Sequence, residues 1–154
     1  MALEAGDKAP GFKLATDIGD GVSRAALKGK PFVLYFYPKD DTAGCTREAV
    51  DFTVASAKFG KLGIPVIGVS KDSTASHEKF RKKHKLKITL ASDPDIKMAQ
   101  DWGVWIEKSL YGRKYMGIER ATFLVDAKGV IAEAWHKVKV PGHVEAVLAA
   151  ARSL

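Results

Sequence analysis

Cys45 is the only cysteine in the sequence, and its neighbours are those a reactive sulfur needs. It closes the segment Pro38-Lys39-Asp40-Asp41-Thr42-Ala43-Gly44-Cys45, directly after the apolar run Phe32 to Tyr37. The run reads as a buried strand, and the residues from Thr46 to Phe59 carry helical periodicity. A thiol at the start of a helix faces unpaired backbone N–H groups and the positive end of the helix dipole. Both favour the thiolate, which is the nucleophilic form. A lone cysteine in a core can also be no more than a small buried hydrophobe. Thr42 lies three residues ahead of Cys45, the spacing at which an N-cap hydroxyl meets the N3 backbone N–H. Asp40 and Asp41 are the competing caps, and with either of them Thr42 becomes the first helical residue. Ala43 and Gly44 add little bulk and leave the backbone N–H groups accessible, while Pro38 stiffens the strand exit and screens the sulfur. These features suit attack on a compact polar substrate.

The elements around this segment alternate. Phe12 to Ala15 and Gly21 to Arg24 flank a Gly- and Asp-rich turn and predict an N-terminal hairpin. Ala25 to Lys28 reads as a helical turn. In the predicted helix after Thr42, Cys45, Ala49, Phe52, Ser56 and Phe59 form one stripe, so the sulfur faces inward. Ile64 to Ser70 is a second buried strand. Asp72-Ser73-Thr74 offers caps for a helix running to His84, and Ile88 to Ala91 is a short strand. A helix is predicted from Asp93-Pro94 to Trp102, then an extended Val104 to Glu107 and a polar loop from Ser109 to Gly117. Ala121 to Val125 and Val130 to His136 form a hairpin across Asp126–Gly129, and Pro141 can open a last helix. This order predicts an α/β protein with a mixed sheet and helices on both faces. At 154 residues, one domain over 1–154 is expected.

Composition narrows the function. The chain is 46% hydrophobic and 28% charged, ordinary for a globular protein. One cysteine excludes an internal disulfide framework and fits a reducing compartment. The acidic start lacks the marks of a signal peptide, and no apolar run approaches a membrane span, so a cytoplasmic protein is expected. Lys and Arg number 25 against 18 acids, a net charge of +7, and six of the nine residues from Lys79 to Lys87 are basic. The spacing of Phe80 and Leu86 reads as a solvated helix face with two inward anchors, and no nucleic-acid motif accompanies it. The four histidines show no metal-ligand spacing, and no nucleotide motif occurs, so neither metal nor cofactor is expected. His136 and His143 read as surface or hairpin residues. Trp102, Trp105 and Trp135 read as core or rim aromatics, with Trp105 a candidate for the pocket border.

The stretch F-Y-P-K-D-D-T-A-G-C-T-R-E-A resembles the peroxidatic motif of peroxiredoxins, most closely that of the bacterioferritin-comigratory-protein or PrxQ branch. Further similarity lies in G-D-K-A-P-G-F at 6–12, G-V-S-K-D-S at 68–73, L-A-S-D-P-D at 90–95 and Y-G-R-K-Y-M-G-I-E-R-A-T-F-L-V-D at 111–126. The resemblance implies a thioredoxin-like fold and thiol-dependent reduction of hydrogen peroxide and organic hydroperoxides. It implies Cys45 as the peroxidatic thiolate, Thr42 as a hydrogen-bond partner of thiolate and peroxide, and Arg120 as the supporting cation. Pro38 would shape the pocket, Glu48 would hold the arginine, and the Cys45 N–H would complete the donor set. Arg47 is nearer in sequence and competes with Arg120, but at two residues' distance on a helix it points away.

The chain departs from that pattern at two places. Ala43 stands where the motif commonly has proline, a change that only removes preorganisation. Val50 stands where many relatives carry a resolving cysteine, and the following helix has none. The sequence therefore implies a one-Cys enzyme recycled by an external thiol, either thioredoxin or glutathione with glutaredoxin. A monomer is expected, with a dimer as the alternative. Two other classes need only part of this apparatus. A monothiol oxidoreductase acting on glutathionylated proteins needs the cysteine without the Thr42 and Arg120 donors. A non-catalytic thioredoxin-like binding module or holdase needs neither.

Overall fold

In the computed structural model, which describes residues 2–154, the first elements are β1 (Lys13–Thr16) and β2 (Val22–Ser23). After them come β3 (Phe32–Phe36), α1 (Ala43–Lys61), β4 (Val66–Ser70), α2 (Thr74–His84) and β5 (Thr89–Ser92). The chain continues through α3 (Lys97–Asp101), β6 (Trp105–Leu110), β7 (Arg113–Ile118), β8 (Ala121–Val125), β9 (Ile131–Trp135) and α4 (His143–Arg152). Seven strands form one mixed sheet in the order β2-β1-β5-β4-β3-β8-β9, and β6 pairs with β7 outside it. β3, β4 and β5 are parallel, whereas β1 and β8 join them antiparallel. This is the thioredoxin-like arrangement of a sheet flanked by helices, opened by a short β1–β2 hairpin.

β3 lies inside the sheet, between β4 and β8, where every residue in it is apolar and both of its faces are covered. Val33 and Tyr35, with Tyr37 beyond the strand end, face the side on which Phe52 and Phe59 of α1 and Val147 of α4 pack. Phe32, Leu34 and Phe36 face the opposite side, against Met98 and Trp102. Tyr35 stacks on Phe52 with ring centroids 4.7 Å apart. Gly68, its partner on β4, must lack a side chain, because a Cβ there would lie 2.8 Å from the tyrosine ring. The inward stripe of α1 is as expected for Cys45, Ala49, Phe52 and Phe59, with Ala55 joining it and Ser56 only half-buried. Phe80 and Leu86 are likewise buried within the basic run.

Two expectations are corrected. Ser109 to Gly117 is not a loop. It forms most of a six-residue-per-strand hairpin, reversing at Tyr111 and Gly112, both at positive φ (52° and 77°). Its strands are mostly solvent-exposed, so no apolar/polar alternation marks them in the sequence. The helix expected from Asp93 is confined to Lys97–Asp101, because Asp93 stays outside as an acceptor for the N–H groups of Met98 (3.2 Å) and Ala99 (2.9 Å). α1 begins at Ala43, directly after Thr42 as expected, and Thr42 is its N-cap by backbone conformation.

Candidate active site

Cys45 occupies the third position of α1 and is 1% exposed. The strand exit, the helix start and the β7–β8 junction converge on it. Arg120 follows the end of β7 and precedes β8, where its carbonyl accepts the N–H of Val138 at 2.9 Å and its neighbour Glu119 donates to the carbonyl of Val104 at 2.8 Å. From this fixed backbone the guanidinium reaches across to α1. Its Nη2 donates to Cys45 Sγ at 3.3 Å, and its Nη1 donates to Glu48 Oε1 at 2.7 Å. Glu48 lies one turn after the cysteine and is fully buried. The guanidinium thus links a sulfur and a carboxylate on one helix face. Arg47 is exposed and takes no part.

Gly44 makes room for this contact. A Cβ at that position would lie 3.2 Å from Arg120 Nη2, tighter than ordinary packing, so a side chain there presses the guanidinium aside by a few tenths of an ångström. Thr42 is exposed, and its hydroxyl donates back to the carbonyl of Lys39 at 2.9 Å. The expected cap bond to the Cys45 N–H is not made. The competing caps are engaged elsewhere, Asp40 with His77 and Asp41 with Lys83 and His84. Pro38 is half-buried at the exit of β3.

The electrostatics follow from burial around one strong cation. Burial pushes the Glu48 carboxyl up to about 7, with Arg120 opposing it, and Oε2 has no partner among the described residues. Burial works against the charge on Arg120, but Glu48 and Cys45 more than compensate and hold its pKa above the ordinary value. His143 was expected at the surface or in a hairpin; it is instead buried at the start of α4 and shares a hydrogen bond of 2.7 Å with the Thr122 hydroxyl. Burial, aided by Arg120, lowers its pKa to about 4, so the ring is neutral near pH 7. His136 is half-buried beyond β9 and bonds Glu119 at 2.7 Å.

Two further residues near the sulfur went unnoticed in the sequence. The Lys108 stem runs over Gly117, where a Cβ would meet its Cδ at 3.2 Å. Burial, then Arg120, hold its amine below the usual lysine range. The Tyr35 hydroxyl is buried without a partner among the described residues, and burial, Glu48 and Cys45 keep the phenol protonated. Lys108 falls between the extended segment that ends at Glu107 and the loop that starts at Ser109, and Tyr35 lies inside a strongly apolar run, so neither gave a signal of its own. Trp102 is fully buried in the opposite core, and Trp105 and Trp135 are half-buried. Among the described residues no cluster of His, Cys, Asp or Glu is arranged to hold a metal ion, and no helix is long and apolar enough to cross a membrane.

Residues 5–134 match the AhpC/TSA family. A putative peroxiredoxin Bcp of Coxiella burnetii is 50% identical over 148 residues, covering 96% of this chain and 98% of its own. Peroxiredoxin Bcp of Bacillus subtilis is 47% identical, covering 96% and 94%. The bacterioferritin comigratory protein of Xanthomonas campestris, solved as trapped intermediate and ligand complexes bearing on its alkyl peroxide reduction activity, superposes with a TM-score of 0.87. It is 42% identical, over 92% of this chain and 90% of that one. An inward-facing cysteine at a helix start, gripped by a half-buried arginine, thus lies in a chain similar to these proteins along nearly its whole length, and the chain belongs to the AhpC/TSA family, alongside its Bcp/PrxQ peroxiredoxins.

Proposed function

We propose that the chain is a thiol-dependent peroxidase in which Cys45 reduces hydrogen peroxide and organic hydroperoxides. The observation that carries this reading is the 3.3 Å contact from Arg120 Nη2 to Cys45 Sγ, with Nη1 anchored on buried Glu48. The Cys45 thiolate attacks one peroxide oxygen, the O–O bond breaks, and the sulfur becomes a sulfenic acid. The departing oxygen leaves as hydroxide or alkoxide and takes up a proton. Arg120 supplies fixed donors to the sulfur and to the charge that develops along the O–O axis, without giving up a proton itself. The Cys45 N–H, which the Thr42 hydroxyl leaves uncapped, is available to the same oxygen, and Pro38 walls the pocket. Thr42 is exposed at its mouth, where its hydroxyl can turn from Lys39 to the peroxide.

The sulfenic acid has no second thiol in its own chain. An external thiol, thioredoxin or glutathione with glutaredoxin, returns Cys45 to the reduced state, and a single cysteine fits a reducing cytoplasm. Among thiol enzymes, a monothiol oxidoreductase would present its sulfur to a protein-bound disulfide, whereas this sulfur is 1% exposed and suits a small substrate. Stopped-flow oxidation followed by tryptophan fluorescence tests the reading. Cys45→Ser, nearly isosteric, is expected to keep the fold and lose thiol-dependent peroxide consumption. Substantial turnover in that variant would overturn it.

A further inference from the structure

The loop that delivers Cys45 is held from the side by α2, through a polar cluster that the peroxide chemistry does not use. Asp40, five residues before the sulfur, is buried. Its Oδ1 accepts the Tyr37 hydroxyl at 2.5 Å, and its Oδ2 accepts the Ser76 hydroxyl at 2.8 Å and His77 Nδ1–H at 2.7 Å. The Asp40 N–H donates to Asp72 Oδ2 at 2.9 Å, which also accepts the Ser70 hydroxyl at 2.7 Å. His77 is fully buried, and its Nε2–H donates to the Ala91 carbonyl of β5 at 3.0 Å. Two helical turns further along the same face of α2, His84 bonds Asp41 at 2.8 Å, with Lys83 on its other oxygen at 2.7 Å. Consecutive aspartates of one loop are therefore gripped by residues of one helix.

The buried half of this clasp has a chemical constraint. One ring nitrogen of His77 faces a carboxylate and the other a carbonyl, and both partners only accept. Only the imidazolium, with two N–H donors, satisfies both; a neutral ring has a single N–H and leaves one acceptor facing a lone pair. We propose that Asp40 and His77 are positioning residues for Cys45, an aspartate–imidazolium pair that seats the Pro38–Thr42 loop against α2 and releases it when His77 loses its proton. The link to Cys45 reactivity rests on the peroxidase reading; the coupling of the loop to His77 does not.

The groups facing His77 are Tyr37 at the end of β3, Asp40 in the loop, Asp72 before α2, Ser76 on α2 itself and the Ala91 carbonyl of β5. Burial opposes the charge on His77, but Asp40, the Ala91 carbonyl and Asp72 outweigh it and hold the ring above its ordinary value of 6.5. Burial likewise raises Asp40, but bonds from His77, Tyr37 and Ser76 bring it below 3.8. A raised histidine contributes its full stabilisation below the unfolded value and loses it as pH rises through the folded one. A depressed aspartate loses its contribution only as pH falls below 3.8. The clasp is therefore intact in mild acid and loosens on the alkaline side.

Amide hydrogen exchange on the reduced full chain, without peroxide, tests this between about pH 6 and about pH 9. After correction for intrinsic base catalysis, opening of residues 38–46 is expected to rise about tenfold for each unit by which folding raises His77. In His77→Gln and Asp40→Asn the segment should exchange fast at every pH, and peroxide should oxidise Cys45 about tenfold more slowly at unchanged global stability of the remaining helices. Wild-type protection that stays flat across this range overturns the proposal, and so does a His77→Gln chain with wild-type exchange and oxidation rates. Should a variant fail to fold, the wild-type pH series alone decides. If wild-type Cys45 were inert to peroxide, the peroxidase reading would fail while the exchange series would still report on the clasp.

Discussion

Arg120 and Glu48 divide one electrostatic task unequally. The guanidinium keeps its charge because two anionic or polarisable partners face it, whereas the carboxylate is fully buried with one oxygen unpaired among the described residues. Removing Arg120 therefore deprives the sulfur of its charge-assisted donor and leaves Glu48 buried and alone. Arg120→Ala should slow peroxide reduction at least tenfold, about the worth of one such bond, and slow iodoacetamide labelling of Cys45 at neutral pH. Unchanged rates of both would move the role to Arg47 or Lys39. Gly44→Ala tests the same contact from the other side, since its methyl group presses Nη2 aside by a few tenths of an ångström; a several-fold loss of rate with little change in stability is expected. Glu48 also predicts a pH effect. Its folded value of about 7 against 4.5 means the folded state holds its proton more tightly. Stability then falls as pH rises from 4.5 through about 7, by about 3 kcal/mol if no relaxation intervenes. Glu48→Gln should flatten that part of the curve in urea titrations, and an identical slope in both proteins would place the titration elsewhere.

At the scale of elements, legibility in the sequence followed burial. β3, α1, β4 and the β8–β9 hairpin announce themselves because each buries a continuous or periodic apolar set, and Cys45 was placed on the inward face of α1 from that period alone. β6 and β7 gave no such sign, since Lys108, Leu110, Lys114, Tyr115 and Met116 alternate without an inside. The Arg120–Glu48 contact spans 72 residues and joins the β7–β8 junction to α1, so only the family resemblance brought the pair together, not spacing. The Asp40–His77 clasp was hidden for a related reason: both residues read plausibly as local signals, a helix cap and an unremarkable histidine. α3 shows the same competition between local and tertiary use. Asp93 reads as a helix start, yet its carboxylate serves two N–H groups five and six residues on, so the helix is short. Asp93→Ala should cost about 1–2 kcal/mol in urea unfolding by leaving both donors unpaired. Cys45 oxidation should be unaffected, because α3 packs on the opposite side of the sheet. A large loss of peroxide rate with stability intact would show that the two faces are coupled.

For the whole molecule, recycling sets a requirement that peroxide reduction does not. A peroxide is small enough to reach a cysteine that is 1% exposed, but a reducing thiol must bring its own sulfur into line with the Cys45 S–O bond. No second cysteine can meet it from within, so the oxidised chain waits for an external thiol while peroxide continues to arrive. After a peroxide pulse without reductant, intact mass should show one added oxygen and then two, as sulfenic acid passes to sulfinic acid. With glutathione present, a single adduct on Cys45 should replace the second oxygen, and turnover should then follow glutathione concentration and not peroxide. The net charge of +7 bears on the same step, because glutathione is an anion at neutral pH and a basic surface draws it in. Raising salt from about 0.01 M to about 0.15 M shortens the screening length from about 30 Å to about 8 Å. Adduct formation should slow several-fold over that range, while oxidation by neutral hydrogen peroxide stays nearly constant. Equal salt dependence of the two steps would mean the field plays no part in recruiting the reductant. A stable loss of two hydrogens within one chain would mean that the sulfenic acid had condensed with a backbone nitrogen as a sulfenamide, because the sequence contains no second thiol to form a disulfide.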